Sequence, residues 1–144
     1  MKVVIDASVW VASANADEKD YAVSVAFIQR VRHERAEVLC PWLVLAECAA
    51  AIIRPTNNVE HADNLIGRIE HFPNMTLKDI DESLVHEAVD IVRKCGLRGA
   101  DSVYAALAKI EGATLVAWDK AFFAEKATEI VKALNPTQWL VANP

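Results

Sequence analysis

The chain has 144 residues, of which 53% are hydrophobic, and carries a net charge of -5 with a pI of about 5.3. This length suits one domain with a sizeable core, and the charges are spread along the sequence, so we expect a single domain over residues 1–144. Proteins that bind nucleic acid mainly by counterion release are usually basic, so the acidic balance argues against tight, sequence-independent binding of that kind.

The sequence shows no sign of export, membrane insertion or a zinc site. Its three cysteines, Cys40, Cys48 and Cys95, form no CxxC pair, and no zinc-type spacing with histidines occurs, which favours reduced thiols. Asp6 interrupts the first apolar run, and no cationic leader with a cleavage site is present. No apolar stretch reaches the ~18 residues of a membrane helix. We therefore predict a cytoplasmic protein.

Short apolar runs alternate with longer amphipathic ones along the first half of the chain. The runs predict strands at Lys2–Ile5, Glu37–Pro41 and Met75–Ile80. Helical spacing of apolar residues predicts intervening helices over about 21–35, from the end of the second strand to near Arg54-Pro55, and over 58–71. The second of these should end there because proline disfavours helix in the residue before it.

The second half continues the alternation of helices and strands. Helices are predicted over 82–95 and 100–111, each followed by a glycine in the position that glycine favours past a helix end. Strands are predicted at Thr114–Trp118 and Glu129–Leu134, with a short helix over 120–126 between them. Alternation of this kind indicates an α/β fold, with a parallel sheet covered by helices on both faces.

Four acidic residues stand alone among apolar neighbours, whereas the other acids mostly share polar surroundings. Asp6 is the only charged residue from Val3 to Ala16, Glu47 lies alone in PWLVLAECAAAII, Asp101 lies alone in GADSVYAALA, and Asp119 follows TLVAW. A buried charge without a partner costs several kcal/mol even after relaxation. These four positions therefore require a physical reason for their carboxylates.

The predicted placement of the four acids suggests that reason. Asp6 and Asp119 follow parallel strands, Asp101 lies in the first turn of a helix, and Glu47 lies about two turns into another. Ligands of open α/β sheets bind at the carboxyl ends of strands, so the four converge in one cleft if strands one and four are neighbours. Clustered carboxylates repel one another, and a divalent cation that prefers oxygen ligands, Mg²⁺ or Mn²⁺, relieves that repulsion.

Each acid also has a simpler explanation that the sequence leaves open. Asp101 suits a helix cap or first turn, where the helix dipole favours an acid, and Asp119 suits a cap for the helix at Lys120. Glu47 could pair with a buried arginine such as Arg98, and Asp6 could be a turn residue. These separate explanations account less well for the fact that all four acids lie at strand ends and helix starts of one domain.

The ordered set of motifs resembles the PIN-domain nucleases, most closely the VapC-type toxins of toxin–antitoxin modules. VVIDASVWV contains Asp6 and Ser8 of the first acidic motif, LVLAECAAAI contains Glu47, LRGADSVYAALA contains Asp101 and TLVAWDKAFF contains Asp119. The resemblance covers nearly the whole chain. In one respect the chain departs from it, because Ala117 stands where many relatives have threonine or serine, so a hydroxyl that would position a ligand or water is missing.

The resemblance implies a three-layer α/β/α fold whose five-stranded parallel sheet has the order 3-2-1-4-5. It also implies an endoribonuclease that depends on Mg²⁺ or Mn²⁺, an antitoxin protein as partner, and a homodimer. Under this hypothesis Asp6, Glu47, Asp101 and Asp119 hold one or two cations that activate water and stabilise the leaving oxygen. Ser8 could bond Asp6 or a bound water, although a local turn contact explains it equally well. Phosphate contacts are candidates at Arg54, Arg98 and Lys120.

Three other classes compete with this interpretation. A haloacid-dehalogenase-type phosphatase would need a second acid at Ser8, and a receiver domain would need paired acids before Asp6. A catalytically silent PIN-like module that only binds protein is the stronger alternative. Trp10 and Trp42, which follow predicted strand ends, are where we expect an antitoxin or a second protomer to pack.

Overall fold

The structure is a computed structural model that describes all of residues 1–144, and its centre is a five-stranded parallel sheet. The strands are β1 (Lys2–Ile5), β2 (Glu37–Pro41), β3 (Met75–Lys78), β4 (Thr114–Val116) and β5 (Ala133–Leu134). Their order is β3-β2-β1-β4-β5, which confirms the predicted order and makes β1 a neighbour of β4. This adjacency is what brings the ends of these two strands to one place.

Helices flank the sheet and complete the predicted α/β architecture. They are α1 (Ala7–Ala12), α2 (Tyr21–His33), α3 (Leu43–Thr56), α4 (Val59–Glu70), α5 (Glu82–Cys95), α6 (Gly99–Glu111), α7 (Glu125–Thr128) and α8 (Pro136–Ala142), with a 3₁₀ turn at Lys120–Phe123. None of these helices combines the length and the apolar character needed to cross a bilayer.

The central strand explains why the start of the chain reads as continuously apolar. Val3, Val4 and Ile5 are fully buried, because β1 has a strand on either side and helices over both faces. Edge strand β3 is only partly buried, which fits its more polar sequence MTLK. A cluster of 35 buried residues joins the sheet to the helices as one apolar core.

The ends of several elements differ from the prediction. Pro55 lies inside the last turn of α3, which ends at Thr56, and the left-handed backbone of the next residue, Asn57 (φ 54°), terminates the helix. The predicted helix over 120–126 is a 3₁₀ turn followed by a short helix that reaches Thr128. Strand β5 has two residues instead of six, since residues 129–132 form the connection into it.

The two tryptophans expected at a partner surface differ in exposure. Trp10 is 0% exposed and packs edge-on against Phe72 with ring centroids 5.4 Å apart, so its proposed contact with a partner is wrong. Trp42 is 46% exposed at the start of α3 and remains open to contact. The difference follows from α1, a helix directly after β1 that turns Trp10 into the core.

Candidate active site

The four isolated acids line one groove at the carboxyl edge of the sheet. The last paired residues of β1 and β4 are Ile5 and Val116, so Asp6 and Asp119 follow the ends of neighbouring strands. Helix α3 brings Glu47 to the same groove, and the first turn of α6 brings Asp101. Residues that are up to 113 positions apart therefore share one site.

Asp6 caps α1 and is the most buried of the four acids together with Asp101. Its Oδ2 accepts a hydrogen bond of 3.0 Å from the backbone N–H of Ser8. Asp6 and Asp101 are each 6% exposed. Burial raises the pKa of Asp6 from 3.8 to about 6; the bonds from Ser8 oppose this rise, and the charges of Glu47 and Asp101 add to it. Asp6 is therefore a carboxylate held in a place that disfavours its own negative charge.

Glu47 is oriented by a tyrosine that the sequence analysis did not single out. The hydroxyl of Tyr104 donates a 2.6 Å hydrogen bond to Oε1 of Glu47. Burial raises the pKa of Glu47, while this bond lowers it and the charge of Asp101 raises it further. Burial also raises the pKa of Tyr104 far above its usual range, so the phenol stays protonated and remains a donor. Tyr104 thus positions Glu47 from one turn beyond Asp101.

Arg98 joins the other two acids of the groove. Its Nε lies 3.1 Å from Oδ2 of Asp101, and its Nη2 lies 3.0 Å from Oδ2 of Asp119. The expectation that Glu47 pairs with a buried Arg98 is therefore wrong, because Arg98 is exposed and bonds two other carboxylates. Burial still raises the pKa of Asp101, although the bond from Arg98 opposes the rise.

The simpler explanations for these acids are also partly correct, since two of them cap helical turns. Asp6 is the N-cap of α1, and Asp119 accepts a 2.9 Å bond from the backbone N–H of Ala121 at the 3₁₀ turn. Asp101 lies in the first turn of α6. In Asp119 the capping oxygen is Oδ1 and the oxygen bonded to Arg98 is Oδ2, so capping leaves half of the carboxylate for the groove.

Ser8 links the two strand ends that carry Asp6 and Asp119. Its Oγ accepts a 3.0 Å bond from the backbone N–H of Trp118, and the hydroxyl also lowers the pKa of Asp6. The side chain of Ala117 is fully buried in the core. No hydroxyl stands at Ala117, but the hydroxyl of Ser8, in the first turn of α1, holds the neighbouring backbone at Trp118.

Further charged residues complete the lining of the groove. Glu18 and Asp20, in the loop before α2, line its wall. The sequence did not indicate them as site residues, because they lie among other polar residues. Arg54 lies in an adjoining shallow groove with Glu47, Ala50 and Arg98. Lys120 is exposed and is not among the lining residues of either groove, so the structure gives no support to its predicted phosphate contact.

The donors of the groove suit a divalent cation. As the side chains stand, no three of the His, Cys, Asp and Glu groups lie close enough together to hold a metal ion. The donor set nevertheless fits one, because it consists of carboxylate oxygens in a buried place. Burial, with a smaller contribution from the charges of Glu47 and Asp101, raises the pKa of Asp6, and Arg98 already supplies positive charge between two of the other acids. Oxygen-only donors fit Mg²⁺ or Mn²⁺.

Comparison with protein families identifies the fold. The model of the PIN domain matches residues 3–129, which is most of the chain and includes all four acids. The chain belongs to the PIN-domain family. No curated protein matches the sequence significantly.

Solved structures with the same fold come from several bacteria. VapC20 of Mycobacterium tuberculosis, a toxin that cleaves the sarcin-ricin loop, has 19% sequence identity and a TM-score of 0.69 over 85% of this chain and 93% of its own. FitAcB of Neisseria gonorrhoeae has 21% identity and a TM-score of 0.71 over 94% and 98%. VapBC2 of Rickettsia felis, bound to a promoter DNA fragment, has 16% identity and a TM-score of 0.68 over 94% and 98%. At these identities the similarity establishes the PIN fold of the chain.

Proposed function

We propose that this PIN-domain protein is a metal-dependent endoribonuclease and the toxin of a type II toxin–antitoxin pair. One observation carries the proposal: carboxylates from four separate segments line a single groove at the end of the sheet where α/β proteins bind ligands. Caps and surface ion pairs would not by themselves bring Asp6, Glu47, Asp101 and Asp119 to one place.

The four carboxylates would hold Mg²⁺ or Mn²⁺ directly or through water. When bound, the cation supplies Lewis-acid activation of water and stabilises charge on the phosphate. Ser8 keeps Asp6 oriented through its N–H and its hydroxyl, and Tyr104 keeps Glu47 oriented through its phenol. These contacts fix two of the acids before substrate arrives, which lowers the cost of arranging them during the reaction.

The adjoining groove along α3 offers a path for the RNA backbone. It is lined by Glu47, Ala50, Ala51, Arg54, Pro55 and Arg98, so it begins beside the acids and carries two arginines. The small alanine side chains leave the helix surface accessible, and the arginines supply charge for phosphate groups. An acidic protein can therefore bind RNA at this edge, because arginines and a bound cation offset the local carboxylates.

We also propose an antitoxin partner, a homodimer and a cytoplasmic location for a single domain over residues 1–144. Support for the antitoxin comes from similar folds, among them a structure from Klebsiella pneumoniae described as a toxin–antitoxin complex. Its TM-score is 0.63 at 9% identity. Exposed Trp42 offers an apolar contact for such a partner.

Cleavage of a labelled RNA tests the enzymatic proposal. We expect hydrolysis by the wild type with Mn²⁺, and loss of at least about 90% of the rate in Asp6→Asn or after chelation, because a missing ligand weakens a metal site by tenfold or more. Asp63→Asn is the control, since it removes the same charge from the exposed face of α4. Its rate should match that of the wild type.

The second candidate function is a catalytically silent module that only binds protein. A failed cleavage assay would not distinguish it from a nuclease that was given the wrong RNA, but a measurement of metal binding does. Titration with Mn²⁺ by calorimetry should show binding that Asp101→Asn weakens at least about tenfold. If Mn²⁺ does not bind, or if Asp101→Asn binds it as the wild type does, the acids are caps and ion-pair partners. The protein would then act through protein contacts alone.

A further inference from the structure

Arg98 occupies an unusual position among the residues of the acidic groove. Six of the lining residues are acidic, Asp6, Glu18, Asp20, Glu47, Asp101 and Asp119, and Arg98 is the only basic one. Its guanidinium bonds carboxylates from two different elements, the first turn of α6 and the loop after β4. A cation thus already lies between two of the four acids that the proposed metal would need.

Arg98 bonds carboxylate oxygens of Asp101 and Asp119 that a metal ion would also use. Oδ2 of Asp119 accepts from Arg98 while Oδ1 accepts from Ala121, so both oxygens of this carboxylate have donors. Oδ2 of Asp101 is likewise bonded to Arg98. A metal ion bound to this oxygen of Asp119 would place a second positive charge beside the guanidinium, and the repulsion between the two cations favours release of Arg98.

The Arg98 side chain is held in a way that permits this removal. It is 79% exposed, and although Arg98 is the N-cap residue of α6, its side chain makes no capping bond. An ion pair whose arginine is this exposed is weak, because water solvates the guanidinium when it leaves the carboxylates. Arg98 also lines the adjoining groove beside Arg54, so the released side chain has open space next to it.

We propose that Arg98 competes with the metal ion for Asp101 and Asp119, so that the guanidinium closes the site in the metal-free protein and leaves when the cation binds. This inference rests on the proposed function, since it requires a metal site at the acids. Its consequence is specific: the apparent metal affinity is lower than the affinity of the free carboxylates, because binding includes the breaking of two ion pairs.

Calorimetric titration of Mn²⁺ into chelator-treated protein tests the competition. We expect Arg98→Ala to bind Mn²⁺ about fivefold more tightly than the wild type, because the two ion pairs of the exposed arginine no longer have to break. Arg98→Lys keeps the charge on a different stem and should give an intermediate affinity. Arg54→Ala is the matched control, since Arg54 is a neighbouring exposed arginine without a bond to the acids, and its affinity should change less than about twofold.

The possible outcomes separate this inference from the proposed function. If the wild type binds Mn²⁺ and Arg98→Ala binds it equally or more weakly, Arg98 supports the site and the competition is wrong. If Arg54→Ala strengthens binding as much as Arg98→Ala, the effect is general electrostatics and the competition is again wrong. If neither the wild type nor Arg98→Ala binds Mn²⁺, the metal site itself fails, and the proposed function fails with it. Thermal unfolding of each variant without metal verifies that it is folded.

Discussion

Asp6 combines a structural and a chemical task in one side chain. It caps α1, and it is buried beside Glu47 and Asp101 with a pKa raised from 3.8 to about 6. Between these two values the folded chain retains a proton that the unfolded chain has released. The protonated form therefore stabilises the folded state at low pH, and this contribution disappears as the pH rises through about 6.

Asp6→Asn should consequently stabilise the metal-free protein at high pH. Asparagine caps a helix about as well as aspartate but never becomes charged. We expect the variant to exceed the wild type by about 2–3 kcal/mol in free energy of unfolding at pH 8, with the difference vanishing near pH 4. Urea denaturation in the presence of a chelator measures it. Equal stability at pH 8 would show that the charge of Asp6 is not penalised.

Tyr104→Phe tests whether the phenol positions Glu47. The ring remains to fill its buried place, so the fold should persist, while Glu47 loses its 2.6 Å donor and its pKa rises further. We expect the affinity for Mn²⁺ to fall about tenfold, the effect typical of a group that orients a metal ligand. Calorimetry at pH 7 measures this fall. An unchanged affinity would mean that Glu47 reaches the site without Tyr104, or does not bind the metal.

At the scale of helices and strands, local sequence predicted the elements whose patterns are strong. Strands Lys2–Ile5 and Glu37–Pro41 and helix Glu82–Cys95 have the predicted bounds, because β-branched runs, a closing proline and a glycine at Gly96 mark their ends. Helix α1 was missed, since its ASVWVA sequence reads equally as a strand. Helix α8 was missed as well, although Pro136 at its start and the capping box of Asn135 and Gln138 were visible signals.

The largest buried side chain of helix α8 is Trp139. Trp139 is buried and packs edge-on against Phe27 of α2, with ring centroids 5.0 Å apart. Trp139→Ala should lower the free energy of unfolding by about 3–5 kcal/mol through loss of buried surface and the cavity left behind. Val141→Ala, at an exposed position of the same helix, should change it by less than about 0.5 kcal/mol. Chemical denaturation compares the two variants.

At the scale of the whole molecule, composition and periodicity did not predict the order of the strands. Isolated acids at strand ends predicted that a cleft exists, but they converge only because β1 pairs with β4, an order taken from the resemblance to PIN domains. Local sequence patterns could not predict contacts between distant residues either, because such contacts depend on how the elements are arranged. Tyr104 and Glu47 are 57 positions apart in the sequence, and Arg98 and Asp119 are 21 apart, and no local pattern predicts either hydrogen bond.

The exposed face of α5 offers a contact surface for the proposed homodimer. Val85, Val89 and Val92 lie on one stripe at four- and three-residue spacing and are about 40% exposed, which is an apolar face that a second copy can cover. We expect a particle of about twice 15.9 kDa by light scattering, and a monomer for Val89→Asp. Val59→Asp, at an exposed position in the first turn of α4, should remain dimeric. A monomeric wild type would contradict the homodimer.

The dual use of the acids as caps has an evolutionary consequence. In a lineage that no longer needs the proposed RNA cleavage, selection for folding would still preserve Asp6 and Asp119, because each begins a helical turn. Glu47 starts no helix, but it accepts the bond of the fully buried Tyr104 hydroxyl, so its loss alone would leave that donor unpaired. Drift would therefore remove Glu47 and the hydroxyl of Tyr104 together. Among descendants of this chain, the pair of residues at positions 47 and 104 would report whether the proposed nuclease has been kept.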